Sequence, residues 1–258
     1  MTRKIIDLSV TLTDRFRSDP PGLGPQITYL DHDAGALEYQ KMFGIPVEHQ
    51  LDGKGAAVER LTLSTHNGTH LDAPWHYHPT MDNGARALTI DEIPLEWCIG
   101  PGVKLDFREM PAGHVVTAAE VEAEFDRIGH VLRPGDIVLV NTAAGALYGT
   151  DGYVAAGCGI GREATLWMTA RGMRVCGTDA WSWDAPLMQT ARKAAATGDW
   201  ALFWEGHKAG AETVYCHMEK LANLDKLPAT GFEVMCFPVK VDRGSAGWCR
   251  AVAVLTTP

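Results

Sequence analysis

The sequence predicts a mixed α/β domain, on three observations. Runs rich in β-branched residues are interspersed with helical stripes, strict βαβ alternation is missing, and no GxGxxG or GxxxxGK[ST] nucleotide loop is present. That order points to α/β or α+β layers rather than a doubly wound sheet. At 258 residues and 28.0 kDa, surface scaling gives a folded accessible area of roughly 11,000 Å², with about 73% of the unfolded surface buried. One domain spanning residues 1–258 therefore holds a sufficient core without staples.

The elements follow in order. Residues 5–12 read as a β-branched strand, Ile-Ile-Asp-Leu-Ser-Val-Thr-Leu. Residues 13–56, punctuated by Pro20, Pro21, Gly22, Gly24, Gly35, Gly44 and Gly53, read as long loops with one short helix at 36–43. A loop-rich extension of that length serves as a lid or an oligomer arm. Residues 58–65 read as a strand leading into a histidine cluster. Thr117-Ala-Ala-Glu120 is a capping box, and Val121, Phe125 and Ile128 form a stripe that stops at Gly129. Residues 136–141 are a buried strand, 162–171 a helix closed by Gly172, and 174–177 a further strand. Two strands, 232–241 and 248–255, end the pattern.

Composition excludes several functions. The net charge is −9 and no Lys/Arg run could track phosphates, which argues against nucleic-acid or anionic-membrane partners. Asp7 interrupts the N-terminal segment before any apolar stretch, so no signal peptide is expected, and no long apolar span is present. Six cysteines without a CxxC pair read as reduced thiols of a cytoplasmic protein.

The ten histidines are clustered: four of them fall in the thirteen residues from His66 to His78. Within this segment His66, His70, Asp72 and His76 share even parity, which in an extended chain means one face. Imidazoles and a carboxylate converging from a short irregular segment suit Zn²⁺ or Mn²⁺ with positions left open. His78 falls outside that spacing.

The stretch His66-x-Gly68-Thr69-His70-x-Asp72-x-Pro74-x-His76 resembles the HxGTHxDxPxH signature of the metal-dependent hydrolases called the cyclase family, which includes isatin hydrolases and bacterial kynurenine formamidases. Asp7-Leu8-Ser9, Gly135-Asp136 and Arg250-Ala251-Val252 resemble that family's opening, central and closing strands. His207 and Glu219, followed by Lys220-Leu-Ala-Asn-Leu224, resemble its late His…Glu block. The resemblance implies a compact α/β domain of the swivelling β/β/α type, assembled as a homodimer or larger homo-oligomer. It also implies a second metal ion held by His207 and Glu219 and bridged through Asp72, so one or two divalent ions are expected.

A bound divalent ion makes an amide or ester attackable near neutral pH. His66, His70 and Asp72 are assigned to the metal, and His76 to proton transfer between the attacking water and the departing nitrogen. Trp75, Tyr77, Trp181, Trp183 and Trp204 lie near these residues in sequence and are candidates to stack on a planar substrate. The extended segment before the motif and the Trp-Glu-Gly-His-Lys-Ala-Gly stretch at 204–210 resemble the isatin hydrolase branch. The expected activity is therefore opening of a small cyclic aromatic amide, isatin to isatinate. The alternatives are an arylformamidase acting on N-formylkynurenine and a non-catalytic metal- or ligand-binding protein.

Overall fold

The computed structural model describes residues 2–257. Thr2–Asp7 (β1) opens the chain, and an outlying pair of strands follows, Gln26–Leu30 (β2) and Val58–Thr62 (β3), with the helix His32–Phe43 (α1) between them. The signature contributes a three-residue strand, His70–Asp72 (β4), and a single helical turn, Pro74–Tyr77 (α2). Then come Ile99–Asp106 (β5), Ala118–Ile128 (α3), Ile137–Asn141 (β6), Arg162–Thr169 (α4), Val175–Thr178 (β7), Leu187–Thr197 (α5), Glu205–Lys208 (α6), Cys216–Glu219 (β8), Phe232–Met235 (β9), Ala246–Trp248 (β10) and Val252–Thr257 (β11).

A nine-stranded mixed sheet runs in the order β1-β11-β9-β5-β6-β7-β8-β4-β10. Its centre, β5 through β8, is parallel, whereas β4 is antiparallel to both its neighbours. Alternation along β6 sends Ile137 and Leu139 into one core and Val138 and Val140 into the other, so the central strands are buried on both faces. Helices α3 and α4 cover the second face through Val121, Phe125, Ala164 and Met168. The sheet curls: just past β1, Ser9 bridges to Leu221, and the Val10 N–H donates to Thr69 Oγ1 at 2.9 Å, both beside strands far across the sheet order.

The capping box is formed as expected, with Thr117 and Glu120 satisfying each other's backbone N–H groups and Gly129 closing the helix at φ 67°. The final strand expected at 248–255 is two strands. Between them the Cys249 N–H donates to Thr69 O and Ala251 O accepts from Leu8 N–H, so this segment passes from one end of the sheet order to the other. The strand expected at 232–241 stops at Met235, and Pro238, which lacks a donor, precedes a Val239 N–H that bonds Trp248 O. The opening strand ends at Asp7, whose side chain accepts the Ser9 N–H and turns the chain.

Segment 13–56 is more ordered than its punctuation suggests. Asp31 caps α1 by accepting the Ala34 N–H, and Gly44 ends it in the left-handed region. The helix seats on the chain at 55–56: a Cβ on Gly35 would lie 2.0 Å from Ala56 O, so only glycine permits the approach. The strand expected at 58–65 is shorter, Val58–Thr62, and among the described residues pairs only with β2; most of both strands is exposed. The chain's accessible area, 13029 Å², exceeds the compact expectation by about 2,000 Å², and this projecting unit carries much exposed apolar surface.

Candidate metal centre

Strand β4 is threaded between β8 and β10, with His70 directly opposite Glu219 and Asp72 directly opposite His217. Residues directly opposed across an antiparallel pair share a face, so two His-x-acid stretches place two imidazoles and two carboxylates on one patch of sheet. Only His70 and Asp72 obey the parity argument. His66 lies beyond the Asn67-Gly68 turn, where Gly68 has φ 64°. His76 stands four residues from Asp72 on the helical turn that Pro74 opens. The expectation of one extended face for all four is thus corrected: a turn and a helical turn fold the outer two histidines back over the strand.

Asp72 is the hub. Its Oδ1 lies 2.9 Å from His66 Nδ1 and 3.3 Å from His70 Nε2, and its Oδ2 lies 3.1 Å from His217 Nε2 and 3.9 Å from His76 Nε2. Glu219 accepts the Trp183 N–H at 2.9 Å and lies 3.2 Å from His217 Nε2, 3.6 Å from His70 Nε2 and 3.8 Å from His207 Nε2. Burial alone would raise the Asp72 carboxyl, but the surrounding imidazoles hold it well below the usual range. Burial is likewise outweighed at Glu219, held at about 2 beside His217, and at His217, pushed up to about 9 by the two carboxylates. His76 goes the other way: burial lowers it to about 4, so its ring is neutral near pH 7.

Buried groups without partners show what the arrangement needs. The His70 Nδ1 faces Gly68 O at 2.9 Å and carries the proton, leaving its Nε2 with a bare lone pair. That Nε2 and both Asp72 oxygens are buried without any well-aligned hydrogen bond. Buried lone pairs that converge in this way fit a bound cation. Two ligand sets lie close enough to share an ion, one of His66, Asp72 and His76 and one of Asp72, His207, His217 and Glu219.

The Cyclase family model matches residues 6–185. The chain belongs to the Cyclase family. A kynurenine formamidase of Erythrobacter litoralis (strain HTCC2594) is 28% identical over 218 residues, which is 81% of this chain and 83% of that protein. Isatin hydrolase A from Ralstonia solanacearum superposes with a TM-score of 0.76 at 22% identity, covering 98% of this chain and 92% of that one. Isatin hydrolase A from Labrenzia aggregata, bound to benzyl benzoate, gives a TM-score of 0.73 at 24% identity over 99% and 94% of the two chains.

In this Cyclase-family chain a cleft of about 660 Å³ opens over the metal centre, lined by His66, His76, His207 and Glu219 together with Leu23, Leu63, Leu187, Phe203, Trp181 and Trp204. Of the five aromatic candidates, then, Trp181 and Trp204 reach the cleft. Trp204 adopts φ 64° and stacks on His207 with ring centroids 4.5 Å apart. The other three do not line it. Trp75 points outward and is 41% exposed, because on a short helical turn it faces away from its neighbour His76. Tyr77 and Trp183 are buried, and each stacks on His217 at 5.0 and 5.8 Å between centroids. They support the centre from below.

Asp184 was missed by sequence reasoning: it accepts the Gly206 N–H at 2.7 Å, the His207 N–H, and a close bond with His207 Nδ1, fixing that ring's outward nitrogen. His217 was also missed, although His217-Met-Glu219 repeats the one-residue spacing of His70-Leu-Asp72. Lys220 is buried at the cleft edge, paired with Asp19 and donating to His66 O at 2.8 Å.

Proposed function

We propose that the chain is a metal-dependent amide hydrolase that opens a small, uncharged cyclic aromatic amide of the isatin type. The observation that carries this reading is the set of partnerless lone pairs on His70 and Asp72 at the floor of an apolar cleft. His66, His70 and Asp72 would hold one divalent ion, Mn²⁺ or Zn²⁺, and His207 and Glu219 a second that shares Asp72. Such an ion supplies Lewis acidity and a water acidified toward neutral pH.

The chain's own groups do the rest. His76, neutral near pH 7 and partly open to the cleft, accepts the proton of the attacking water and returns it to the departing nitrogen. Trp181 and Trp204 offer faces to a planar ring, and the leucines and Phe203 exclude water. The one ammonium at the cleft, that of Lys220, is taken up by Asp19 and the His66 carbonyl, which disfavours a substrate carboxylate. This favours isatin over N-formylkynurenine, the second reading, which the 28% identity to a kynurenine formamidase supports.

The deciding assay compares the two substrates on purified protein after chelation and readdition of Mn²⁺ or Zn²⁺. Isatin should open with at least roughly tenfold higher kcat/KM, a difference of about 1.4 kcal/mol. Faster release of formate from N-formylkynurenine would reverse the choice, and no turnover of either with metal bound would favour a binding protein.

We infer further that residues 13–56 form an oligomer arm and the chain a homodimer. A two-stranded ladder open on most of both faces is marginal alone, and α1 exposes Leu37, Met42 and Phe43 beside exposed Tyr29 and Leu61. The excess area of about 2,000 Å² is more than the roughly 800 Å² per partner of a standard interface. Leu37→Glu with Phe43→Glu should turn a dimer into a monomer by light scattering, and a monomeric parent chain would sink the idea. The six cysteines are all free and buried, which supports a reducing, cytoplasmic setting.

A further inference from the structure

We propose that His217 is a fourth ligand that closes the inner metal position, so that the inner ion is a structural one and only the outer ion, held on the more exposed wall of the cleft, exchanges and takes part in turnover. This rests on the metal-dependent reading above.

The tautomer of His217 follows from its neighbours. Tyr77 Oη lies 3.1 Å from His217 Nδ1, accepts the His217 backbone N–H at 3.1 Å, and donates its own proton to Asp72 O at 3.4 Å. A hydroxyl has one proton to give, so with that proton on Asp72 O the Nδ1–H must be the donor to Tyr77. The Nε2 is then the ligand atom, aimed at Asp72 Oδ2 and Glu219 Oε1, 3.1 and 3.2 Å away; in the metal-free chain these carboxylates hold a proton on it, which a bound ion would displace. His207 repeats the pattern: Asp184 holds its Nδ1, and its Nε2 stands 3.8 Å from Glu219 Oε1.

Geometry and burial then separate the two positions. Ligand separations of 3.1, 3.2 and 3.8 Å bracket the roughly 3.3 Å edge of a tetrahedron built on 2.0–2.1 Å bonds. Asp72, His207, His217 and Glu219 are all buried, the most open of them Glu219 at 7%. Four buried protein ligands make a closed site, the structural pattern, whereas the outer position has three, His66, His70 and Asp72, with His66 27% exposed on the cleft wall, and leaves room for water. The His217 ring is also clamped between Tyr77 and Trp183, at interplanar angles of 17° and 16°, so it cannot swing away. Together the four ligands tie β4, β8 and α6.

The test is metal retention in the full chain, read by elemental analysis and, after loading with Co²⁺, by its visible spectrum. Wild type should hold two ions per chain, lose one readily to chelator, and keep the other with a tetrahedral spectrum. His217→Gln should lose the retained ion while binding the outer one. Tyr77→Phe, which keeps the packing, should weaken the retained ion roughly 10- to 100-fold and decides the matter if His217→Gln fails to fold. A chelator-resistant ion that survives both substitutions overturns the proposal. So does a wild type that binds a single ion and still hydrolyses amides, which leaves the hydrolase reading standing. A protein active without any ion overturns both.

Discussion

Asp72→Asn should purify without bound metal and lose turnover by roughly 10³- to 10⁵-fold, the largest single effect expected in this protein. The side chain is fully buried and both oxygens are shared, Oδ1 toward His66 and His70 and Oδ2 toward His217 and His76. Asparagine has the same shape but no charge, and its amide N–H₂ would point a donor where a cation is to sit. Because the residue belongs to both ligand sets, neither position survives, unlike the loss of His66 or His207 alone. The fold should remain, since β4 is held by its backbone ladders to β8 and β10. The pH dependence has a definite sign. The Asp72 carboxyl is depressed below 3.8 in the folded chain, so its stabilisation is present above the unfolded value and is lost as pH falls below about 4. Thermal melts of metal-free protein should therefore show a shallower acid decline for Asp72→Asn than for wild type. Full metal content in the variant would refute the hub role.

The histidine cluster is legible because it is local: Gly68, Pro74 and the spacing of His66, His70, Asp72 and His76 lie within eleven residues. The strand parity that suggested it nevertheless applied only to His70 and Asp72. His66 and His76 return through a left-handed glycine and a proline-led turn, geometry that spacing alone does not encode. His217 and Asp184 were illegible for a different reason. Their importance comes from cross-strand register and from a loop packed under α6, contacts between residues far apart in sequence. The capping box of α3 was read correctly because all its partners lie within one helical turn. Segment 13–56 was underestimated because its glycines and prolines mark bends, whereas its order comes from the pairing of β2 with a strand whose first residue is Val58, across α1. The aromatic candidates divide the same way: nearness in sequence to a ligand placed Tyr77 and Trp183 at the centre but could not say that they lie beneath it.

His76→Ala should keep its metal and lose turnover by roughly 10²- to 10⁴-fold, and the pairing of those two results is what gives the residue its role. Position alone allows two roles, because His76 lies with His66 and Asp72 in a possible ligand set. Three features favour proton transfer. Its Nε2 is 3.9 Å from Asp72 Oδ2, against 2.9 Å for His66 Nδ1 and Oδ1, so it stands farther from the shared carboxylate. It lines the cleft, where a substrate nitrogen would leave, and meets Trp204 edge to face at 5.7 Å. Burial, the largest influence on it, holds it at about 4, so at pH 7 the ring is a neutral base ready to take a proton. The acid limb of kcat/KM due to this residue should accordingly fall near pH 4 rather than at the 6.5 of an unperturbed imidazole. In His76→Ala that limb should vanish, and added imidazole should restore part of the rate, since a diffusible base can occupy the vacated corner of the cleft. A ligand role would instead lower metal content in step with activity, with no rescue by imidazole. Unimpaired turnover would show that the proton travels by another route, through one of the neighbouring imidazoles, His66 or His207, whose ring centroids lie 4.2 and 5.5 Å away.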